Sequence, residues 1–574
     1  MNFLYKNKYL KYKNKYIQLK NQYGGNPSYS WLIKDNEELP RVLEPEFQED
    51  LETQYNFGQA VKILFQKNTY YITPSAKYKF ENKILIREQK IRNINEQEYY
   101  FFEALRECAI QNNVILRVAG GWVRDKILEI QNDDIDITID IMTGKNFSEL
   151  LFVFINQRPD WKCSKPAIIP EDAEKSKNLE TSTMKIRNPE GKIFEIDLVG
   201  LRKEVYDNPE SRIPTIINAT IEEDALRRDL TINSLYYNIN TSNLEDYVGG
   251  VRDIHRKIIR TPLDPIRTFN DDPLRVLRTL RFLCRFKFTL DPITDFAIGD
   301  QEIKEKLGRI ISRPRIGNEI LGFFKKGSNP LIGFTKIHEK GLWNIIFGGE
   351  GNWGDESILL LNNLGDKSII NTLATITYPL YIKDIGRTFR LKEKTSVDTC
   401  ITVDLRLKNE YEAIINKIHK SIYKIITILG EVNPTLWKRS DVALIIIDAE
   451  DYLNNMIEVG KILKEELFYN IDCFITKYKL QDSYKQTNFD SSLVCKSFDL
   501  SPSDGRKLGV LLKILFAWKF DNPPGNFEEV IKLKDKFLQE TEEKTRIEEA
   551  LFAEKQKQKK AQNKEKEKGK GKKI

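Results

Sequence analysis

Asp134 and Asp136 stand two residues apart in an alternating apolar run, Asp134-Ile135-Asp136-Ile137-Thr138-Ile139. Positions two apart share a face in a strand, so both carboxylates point one way while the isoleucines point into a core. Adjacent carboxylates repel each other unless a cation lies between them. Oxygen ligands with room for water suit Mg²⁺, which proteins hold with one or two carboxylates plus substrate phosphates. Upstream, an apolar run (Val114, Ile115, Leu116, Val118) meets Gly120-Gly121, and a short helical pattern follows. Glycine lets the backbone turn sharply and approach a ligand closely, and N–H groups near a helix start attract phosphate. Arg124, one helical turn on, would offer its guanidinium fork to phosphate oxygens. Alone, a glycine pair reads as a surface turn and a DxD as a salt-bridged strand; strand–GG–helix–strand–DxD within about twenty residues reads as a phosphate and metal site.

Other charged residues fall into patterns that can serve such a site or merely decorate a surface. Phe194, Ile196 and Leu198 alternate with Glu195 and Asp197, a half-buried strand with acid on its other face. Asp197 is a candidate third carboxylate, or a plain strand-surface charge. Arg227, Arg228 and Asp229 sit together in EEDALRRDLTINSLYYNI, where Leu226, Leu230, Asn233 and Ser234 predict a helix; a surface ion cluster is the simpler reading. In DDPLRVLRTLRFLCRF, Arg275, Arg278 and Arg281 recur every three residues beside Leu274, Leu277 and Leu280. That spacing puts three guanidiniums on one helical stripe and the leucines on a buried one. Asp272 lies three before Arg275, so the two can pair as a planar donor–acceptor edge. RPRIGNEILGFF predicts a further helix with Pro314 near its start.

The elements that must carry these groups are set by composition and pattern. At 574 residues the chain exceeds one core, and 40% hydrophobic with 30% charged residues fits folded domains. No apolar run reaches the ~18 residues of a membrane helix, and the Lys/Tyr-rich start lacks the apolar segment of a secretory signal. A net charge of +7 suits a polyanionic partner. Six cysteines (Cys108, Cys163, Cys284, Cys400, Cys473, Cys495) form no CxxC pair, which argues against zinc and a disulfide framework and for a reducing compartment, here the cytoplasm. Three distant histidines (His255, His338, His419) leave little for His-based metal chemistry. Residues 1–25 place Tyr5, Tyr9, Tyr12, Tyr16 and Leu19 on one stripe of a lysine-rich helical arm ending at Gly24-Gly25. A helix is predicted over Tyr99–Gln111 and another over FSELLFVFINQ; beyond residue 330, helices are predicted at Leu331–Phe347, Ser357–Leu364, Glu410–Leu429 and Asp441–Phe468. The last twenty residues are lysine-rich and of low complexity.

GGWVRD with DID, then ALRRDLTINSLYYNI, DDPLRVLRTLRFLCRF and SRPRIGNEI, resemble in order the motifs of the class II tRNA nucleotidyltransferase/poly(A) polymerase family of the DNA polymerase β superfamily. EKSKNLETSTMKI, FEIDLVGLRKEVY, SRIPTI and IIRTPLDPIRTFNDDPLRVLR are similar to eukaryotic-type CCA-adding enzymes; the resemblance is dense over residues 95–350 and faint beyond. The arm resembles leaders in proteins of giant DNA viruses, which would put the chain in a host cytoplasm or viral factory. The resemblance implies an α+β nucleotidyltransferase head with a mixed five-stranded sheet, followed by all-α neck, body and tail domains. Its expected divisions are an arm (1–25), an extension without assigned role (26–94), the head (95–240), the neck with a nucleotide-selecting helix (241–350), an RNA-binding body and tail (351–540), and a charged helix with a lysine tail (541–574).

The implied activity is template-independent addition of CMP, CMP and AMP to a tRNA 3′ end from CTP and ATP with Mg²⁺. By motif position, Asp134 and Asp136 match the metal ligands and Asp197 the acid that helps deprotonate the 3′-hydroxyl. Gly120, Gly121 and Arg124 match the triphosphate turn, and Arg228 and Asp229 the sugar-handling motif. Asp272 and Arg275 match the pair that reads the base edge, where a guanidinium only donates and a carboxylate only accepts. Arg278 and Arg281 match phosphate- and nucleotide-facing positions. The family's Glu-Arg start of the fifth motif is Pro314-Arg315 here, with Glu319 retained.

Three functions compete. A poly(A) polymerase of the same superfamily would add AMP alone, but the bacterial type carries a Gly-Arg-Arg/Lys-like run after DxD where this chain has ITIDIMTGKNF. Partial C- or A-adding relatives keep the same motifs. A non-catalytic RNA-binding relic would have lost a metal carboxylate or a base-reading arginine, and none is lost.

Overall fold

The computed structural model describes residues 42–43, 61–65, 68–72, 78–81, 84–87, 91, 94–169, 181–205, 215–387, 393–481, 489–501, 504–523, 526–550 and 553. The Tyr/Lys arm 1–25, the polar stretch 170–180, residues 206–214 and the tail from 554 lie outside them. Packing divides the chain into two compact units, Met1–Gly333 and Phe334–Ile574. The expected division near residue 240 is not a packing boundary: the arginine helix that follows it is bonded into the same unit as the sheet, as shown below.

In the extension, β1 (Val42–Leu43), β2 (Val61–Phe65), β3 (Asn68–Ile72), β4 (Tyr78–Glu81) and β5 (Ile84–Arg87) form a three-stranded sheet, β1-β5-β4, and a β2–β3 hairpin. The site-bearing sheet starts after α1 (Glu96–Gln111), whose N-terminus is closed by a capping box between Asn95 and Glu98. There follow β6 (Leu116–Ala119), α2 (Gly121–Ile127), β7 (Ile135–Ile139), α3 (Gly144–Asn156), β8 (Lys162–Cys163), β9 (Ala167–Ile169), β10 (Thr181–Arg187), β11 (Ile193–Gly200), β12 (Arg202–Val205), β13 (Thr215–Asn218), α4 (Ile221–Leu226), β14 (Leu235–Asn238) and β15 (Asn243–Asp246).

The strand order is β15-β14-β6-β7-β11-β10-β8, with β9 also on β10. β7 and β11 run parallel and the other pairs antiparallel, so the sheet is mixed as expected. It holds eight strands rather than five, because the short β8 and β9 both pair with the outer edge of β10 and β15 closes a hairpin on β14.

Alternation decides which face is core. Ile135, Ile137 and Ile139 of β7 and Phe194, Ile196 and Leu198 of β11 are buried, together with Phe101, Phe102 and Leu105 of α1 and Phe147, Leu151 and Ile155 of α3. Phe101 stacks on Phe194 at 4.2 Å, and Phe102 meets Trp122 edge-on at 5.3 Å. The other face of the same strands is left for polar side chains.

The predicted helix through Leu226–Ser234 is not formed. α4 ends at Leu226, Leu230 is extended, and Thr231–Asn233 makes one 3-10 turn before β14. Buried ion pairs of Asp224 and Asp229, described below, hold that irregular path. α5 (Gly250–Arg256) and α6 (Pro265–Asp271) lead to the predicted arginine helix, α7 (Leu274–Phe286), whose Leu274, Leu277, Leu280 and Leu283 are buried. α8 (Pro292–Ile298), α9 (Gln301–Ile310) and α10 (Arg313–Leu321) complete this part; α10 starts with Pro314 in its first turn.

The described residues of the second unit are helical. The predicted helix at 331–347 is two, Pro330–Glu339 and Trp343–Phe347, separated by Gly341 at φ +68°. That at 441–468 is broken into Arg439–Ile446, a 3-10 stretch to Tyr452, Leu453–Leu463 and Glu465–Tyr478. Ile369–Asp384, which has no counterpart among the predicted helices, is buried along most of its length, so it carries no amphipathic signature.

Candidate active site

β7 and β11 bring the acids together. In their parallel register Asp136 is paired with Asp197, so the two carboxylates leave adjacent strands on the face opposite the isoleucine core. Asp134 lies one residue before the strand, and its backbone N–H donates to Asn132 Oδ1 at 3.0 Å. Thr183 on β10, across from Asp197, donates to Asp197 Oδ1 at 2.6 Å and fixes its orientation. Displaced water, then Asp197, pushes the Asp136 carboxyl up to about 6; Arg228 pulls it down and Asp134 adds to the rise. This is the crowding that a cation relieves. Among the described residues no three His, Cys, Asp or Glu side chains form a ready-made metal cage. Asp134 and Asp136, with Asp197 beside them, fit an open site where phosphate and water complete the shell of a hard divalent ion.

The glycine pair is a tight junction between β6 and α2. Gly120 has φ +67°, and a Cβ there would lie 2.9 Å from Arg228 Nη1. Arg228 is thereby pressed against the turn. Its Nε donates to Tyr236 Oη (3.0 Å) and Asp224 Oδ2 (3.2 Å), its Nη2 to Asp224 Oδ2 (3.1 Å) and its Nη1 to the Asn233 carbonyl (3.1 Å). Tyr236 donates to the same Asp224 oxygen at 2.6 Å. Burial pushes the Asp224 carboxyl up, but Arg228, Arg227 and Tyr236 outweigh it and hold the group far below the usual carboxylate range.

Arg124 is not the open phosphate fork expected. It is buried, donates from Nε to Asp125 Oδ1 at 2.7 Å and from Nη1 to Asn233 Oδ1, and lies against the rings of Phe282 (5.1 Å) and Phe286 (5.0 Å). A guanidinium so placed joins α2 to the aromatic rings of α7. Asp229 is likewise committed. Its Oδ1 accepts from Leu230 N (2.9 Å) and Asn233 Nδ2 (3.0 Å), and its Oδ2 from Arg278 Nε and Nη2 (2.8 Å each). Those four bonds fill about all the lone-pair sites a carboxylate has, so accepting from a ribose hydroxyl requires one to be released.

On α7, Arg275 Nη1 reaches the Thr268 carbonyl at 3.4 Å, and its charge also acts on Asp229. Asp272 caps the Leu274 N–H with one oxygen (3.1 Å) and receives Arg315 Nη2 on the other at 3.4 Å. Arg315, the arginine kept beside the Pro314 departure, thus reaches the expected base-reading acid. Arg281, expected to face the nucleotide, spends its Nε on Glu319 Oε2 at 2.6 Å, and a Cβ on Gly322 would lie 2.2 Å from its Cδ. It braces α7 against α10. The sequence reading missed Asp125, Asn132, Thr183, Asp224, Asn233, Arg285 and Arg315. Asp125 was visible as the acid after Arg124 in GGWVRD, but nothing in spacing pairs it with Arg285, 160 residues away.

A family model described as the Poly A polymerase head domain matches residues 116–260. The mitochondrial CCA tRNA nucleotidyltransferase of Saccharomyces cerevisiae is 30% identical over 490 residues, covering 72% of this chain and 87% of that protein. The chain belongs to the CCA tRNA nucleotidyltransferase family. With another member, tRNA nucleotidyltransferase cca2 of Schizosaccharomyces pombe, it shares 35% identity over 270 residues, 45% of this chain and about half (53%) of that protein. The Thermotoga maritima CCA-adding enzyme complexed with tRNA superposes with a TM-score of 0.54 at 20% identity, over 78% of this chain and 99% of that one, and so shares its fold. Nucleotidyltransferases of this family use a divalent metal ion, in keeping with the acid pair. Among the described residues no helix is long and apolar enough to cross a membrane.

Proposed function

We propose that this member of the CCA tRNA nucleotidyltransferase family adds CMP, CMP and AMP to tRNA 3′ ends from CTP and ATP, releasing pyrophosphate, with Mg²⁺ as its ion. The observation that carries the reading is the register of Asp136 with Asp197, beside Asp134, on the polar face of a sheet whose opposite face is core. Asp134 and Asp136 would hold Mg²⁺, which supplies charge neutralisation on the triphosphate and polarises the α-phosphate. Asp197, oriented by Thr183, accepts the proton of the attacking 3′-hydroxyl. The Gly120-Gly121 turn, backed by Arg228, lets the triphosphate approach the backbone. Arg278, the more open member of its pair with Asp229, presents its outer N–H edge to the nucleotide. Asp272 and Arg275 read the base edge, with Arg315 holding the Asp272 carboxylate. Residues 95–350 thus select and join nucleotides, and 351–540 hold RNA. The six unpaired cysteines support a reducing compartment, the cytoplasm.

Support for CCA addition over tailing comes from extent. The poly(A) polymerase I of Salmonella typhi matches over only 78 residues, against 490 for the yeast CCA enzyme. The test is incorporation with Mg²⁺ on tRNA lacking CCA, ending in C or ending in CC, and on an mRNA-like oligomer, each with CTP, ATP or both. Addition that stops after CCA on tRNA supports the reading. Long ATP-only tails on either RNA make the protein a poly(A) polymerase, and C or A addition alone makes it a partial enzyme.

A further inference from the structure

Asp125 is fully buried where three elements meet. Its Oδ1 accepts from Arg124 Nε and Nη2, both at 2.7 Å. Its Oδ2 accepts from Asn132 Nδ2 at 2.9 Å and from Arg285 Nη2, in the last turn of α7, at 3.0 Å. Asn132 carries the connection onward, since its Oδ1 accepts the backbone N–H of Asp134 at 3.0 Å. Asp134 needs that hold. The β7 pairing to β11 begins at Ile135, so the sheet ladder fixes Asp136 but stops one residue short of Asp134.

We infer that Arg285–Asp125–Asn132 is a strut by which α7 sets the position of Asp134, with Arg285 and Asn132 as positioning residues. The inference rests on Asp134 belonging to the reaction. α7 also carries Arg275 and Arg278, so the helix that meets the nucleotide is bonded through Arg285 to the loop that aims one of the acids. A charge as buried as Asp125 is held in place only while its partners remain. Removing Arg285 at one end should therefore loosen Asn132 and Asp134 at the other, although Arg285 hydrogen-bonds to neither.

The test compares the full-length protein with Arg285→Ala, Arg285→Lys, Asn132→Ala and the Asn132→Ala/Arg285→Ala pair. Hydrogen exchange over residues 130–137 is read without substrate. Both alanine variants should speed exchange at the Asp134 amide by roughly fivefold or more, the worth of one hydrogen bond. In CMP addition to tRNA lacking CCA, each should lower kcat by about 10–100-fold, the scale of an ångström-level misplacement, with KM for CTP nearly unchanged. Arg285→Lys should recover part of the loss, and the double variant should be no slower than the worse single one. Unchanged exchange at Asp134 in Arg285→Ala, or losses that multiply in the double variant, would overturn the strut. If Arg285→Ala fails to fold, Arg285→Lys and Asn132→Ala decide by the same exchange reading. A wild-type protein that adds no nucleotide sinks the proposed function while exchange still judges the strut.

Discussion

Arg278 grips Asp229 through two N–H groups, Nε and Nη2, each 2.8 Å from the same carboxylate oxygen. Burial pushes the Asp229 carboxyl up, but Arg278, Asn233 and Arg275 hold it far below the usual carboxylate range. A depressed folded pKa contributes stability above the ordinary Asp value of about 3.9 and loses it as pH falls through the acid range. Arg278→Ala strands a buried negative charge and is expected to cost at most about 3 kcal/mol at pH 7, discounted because Arg278 is partly exposed. Adding Asp229→Asn should recover most of that loss. Denaturant melts of the two single variants and the double one measure it, and an Arg278→Ala protein as stable as wild type would remove the pair from the fold's account. In activity assays Arg278→Ala should raise KM for CTP and ATP together, since an edge offered to phosphate or sugar does not distinguish bases.

Gly120 and Gly121 look equivalent in the motif and are not. An alanine at 120 must adopt φ +67° and place its Cβ 2.9 Å from Arg228 Nη1, whereas at 121 its nearest neighbours, Arg124 Nη2 and Asn132 Nδ2, are 3.7 Å away in ordinary contact. Gly120→Ala should cost about 1–2 kcal/mol and lower nucleotide addition by displacing Arg228. Gly121→Ala falls on the first helical residue and should be neutral or slightly stabilising for the fold, by less than about 1 kcal/mol. Paired melting and incorporation assays check the contrast. Equal losses at both positions would mean that the turn's conformation is not what the motif protects.

Local signals in the sequence carried the parts of the site that depend on local geometry. Alternation in DIDITI and FEIDLVG was enough to put Asp136 and Asp197 on polar faces, because a strand's period is two whatever lies around it, whereas Asp134 falls one residue before the ladder. The leucine stripe of α7 was legible for the same reason at helical period. Partnership was not legible. Arg124, Arg278 and Arg281 look free in their motifs, yet each spends hydrogen bonds on an acid: Asp125, Asp229 and Glu319. Only Asp125 lies next to its arginine in the chain. Leu226 and Leu230 on either side of Arg227–Asp229 predict a helix; buried charges that cannot be left unpaired override that weak propensity and hold an extended break.

Asp136 should lower the stability of the metal-free protein as pH rises through the acid range. Its carboxyl is raised to about 6 in the fold against an ordinary value near 3.9. Between those values the folded state binds more proton than the unfolded one, so stability falls as pH rises from about 4 to about 6 and stays lower above. Asp136→Asn removes the repulsion with Asp197 and Asp134 and should stabilise the metal-free protein at pH 7, by less than about 1 kcal/mol since the side chain keeps an exposed part through which solvent screens the charges, while abolishing nucleotide addition. Mg²⁺ should raise the melting temperature of wild type and do so much less in Asp136→Asn. A variant that melts lower than wild type without metal would show that the carboxylate is not strained.

His419 gives the second unit a pH dependence of the opposite sense. It is wholly buried, its Nε2 donates to the Ala374 carbonyl at 2.7 Å, and Tyr378 and Tyr381 lie against its ring at 5.5 and 5.1 Å. Nδ1 finds no hydrogen-bond partner among the described residues. Burial pulls the imidazole down to about 4, with the carbonyl bond opposing it. The folded protein therefore keeps His419 neutral while the unfolded chain takes up a proton below its ordinary value near 6.5. Stability is full above that pH and falls as pH drops toward 4, by up to about 1.4 kcal/mol per unit, and levels off below. His419→Gln keeps an N–H donor for Ala374 without a titrating group. Urea melts of wild type and His419→Gln at pH 7.5, 6 and 5 should converge toward acid, because only wild type pays for the buried ring. Curves that stay parallel across the three pH values would mean that His419 binds its proton equally in both states.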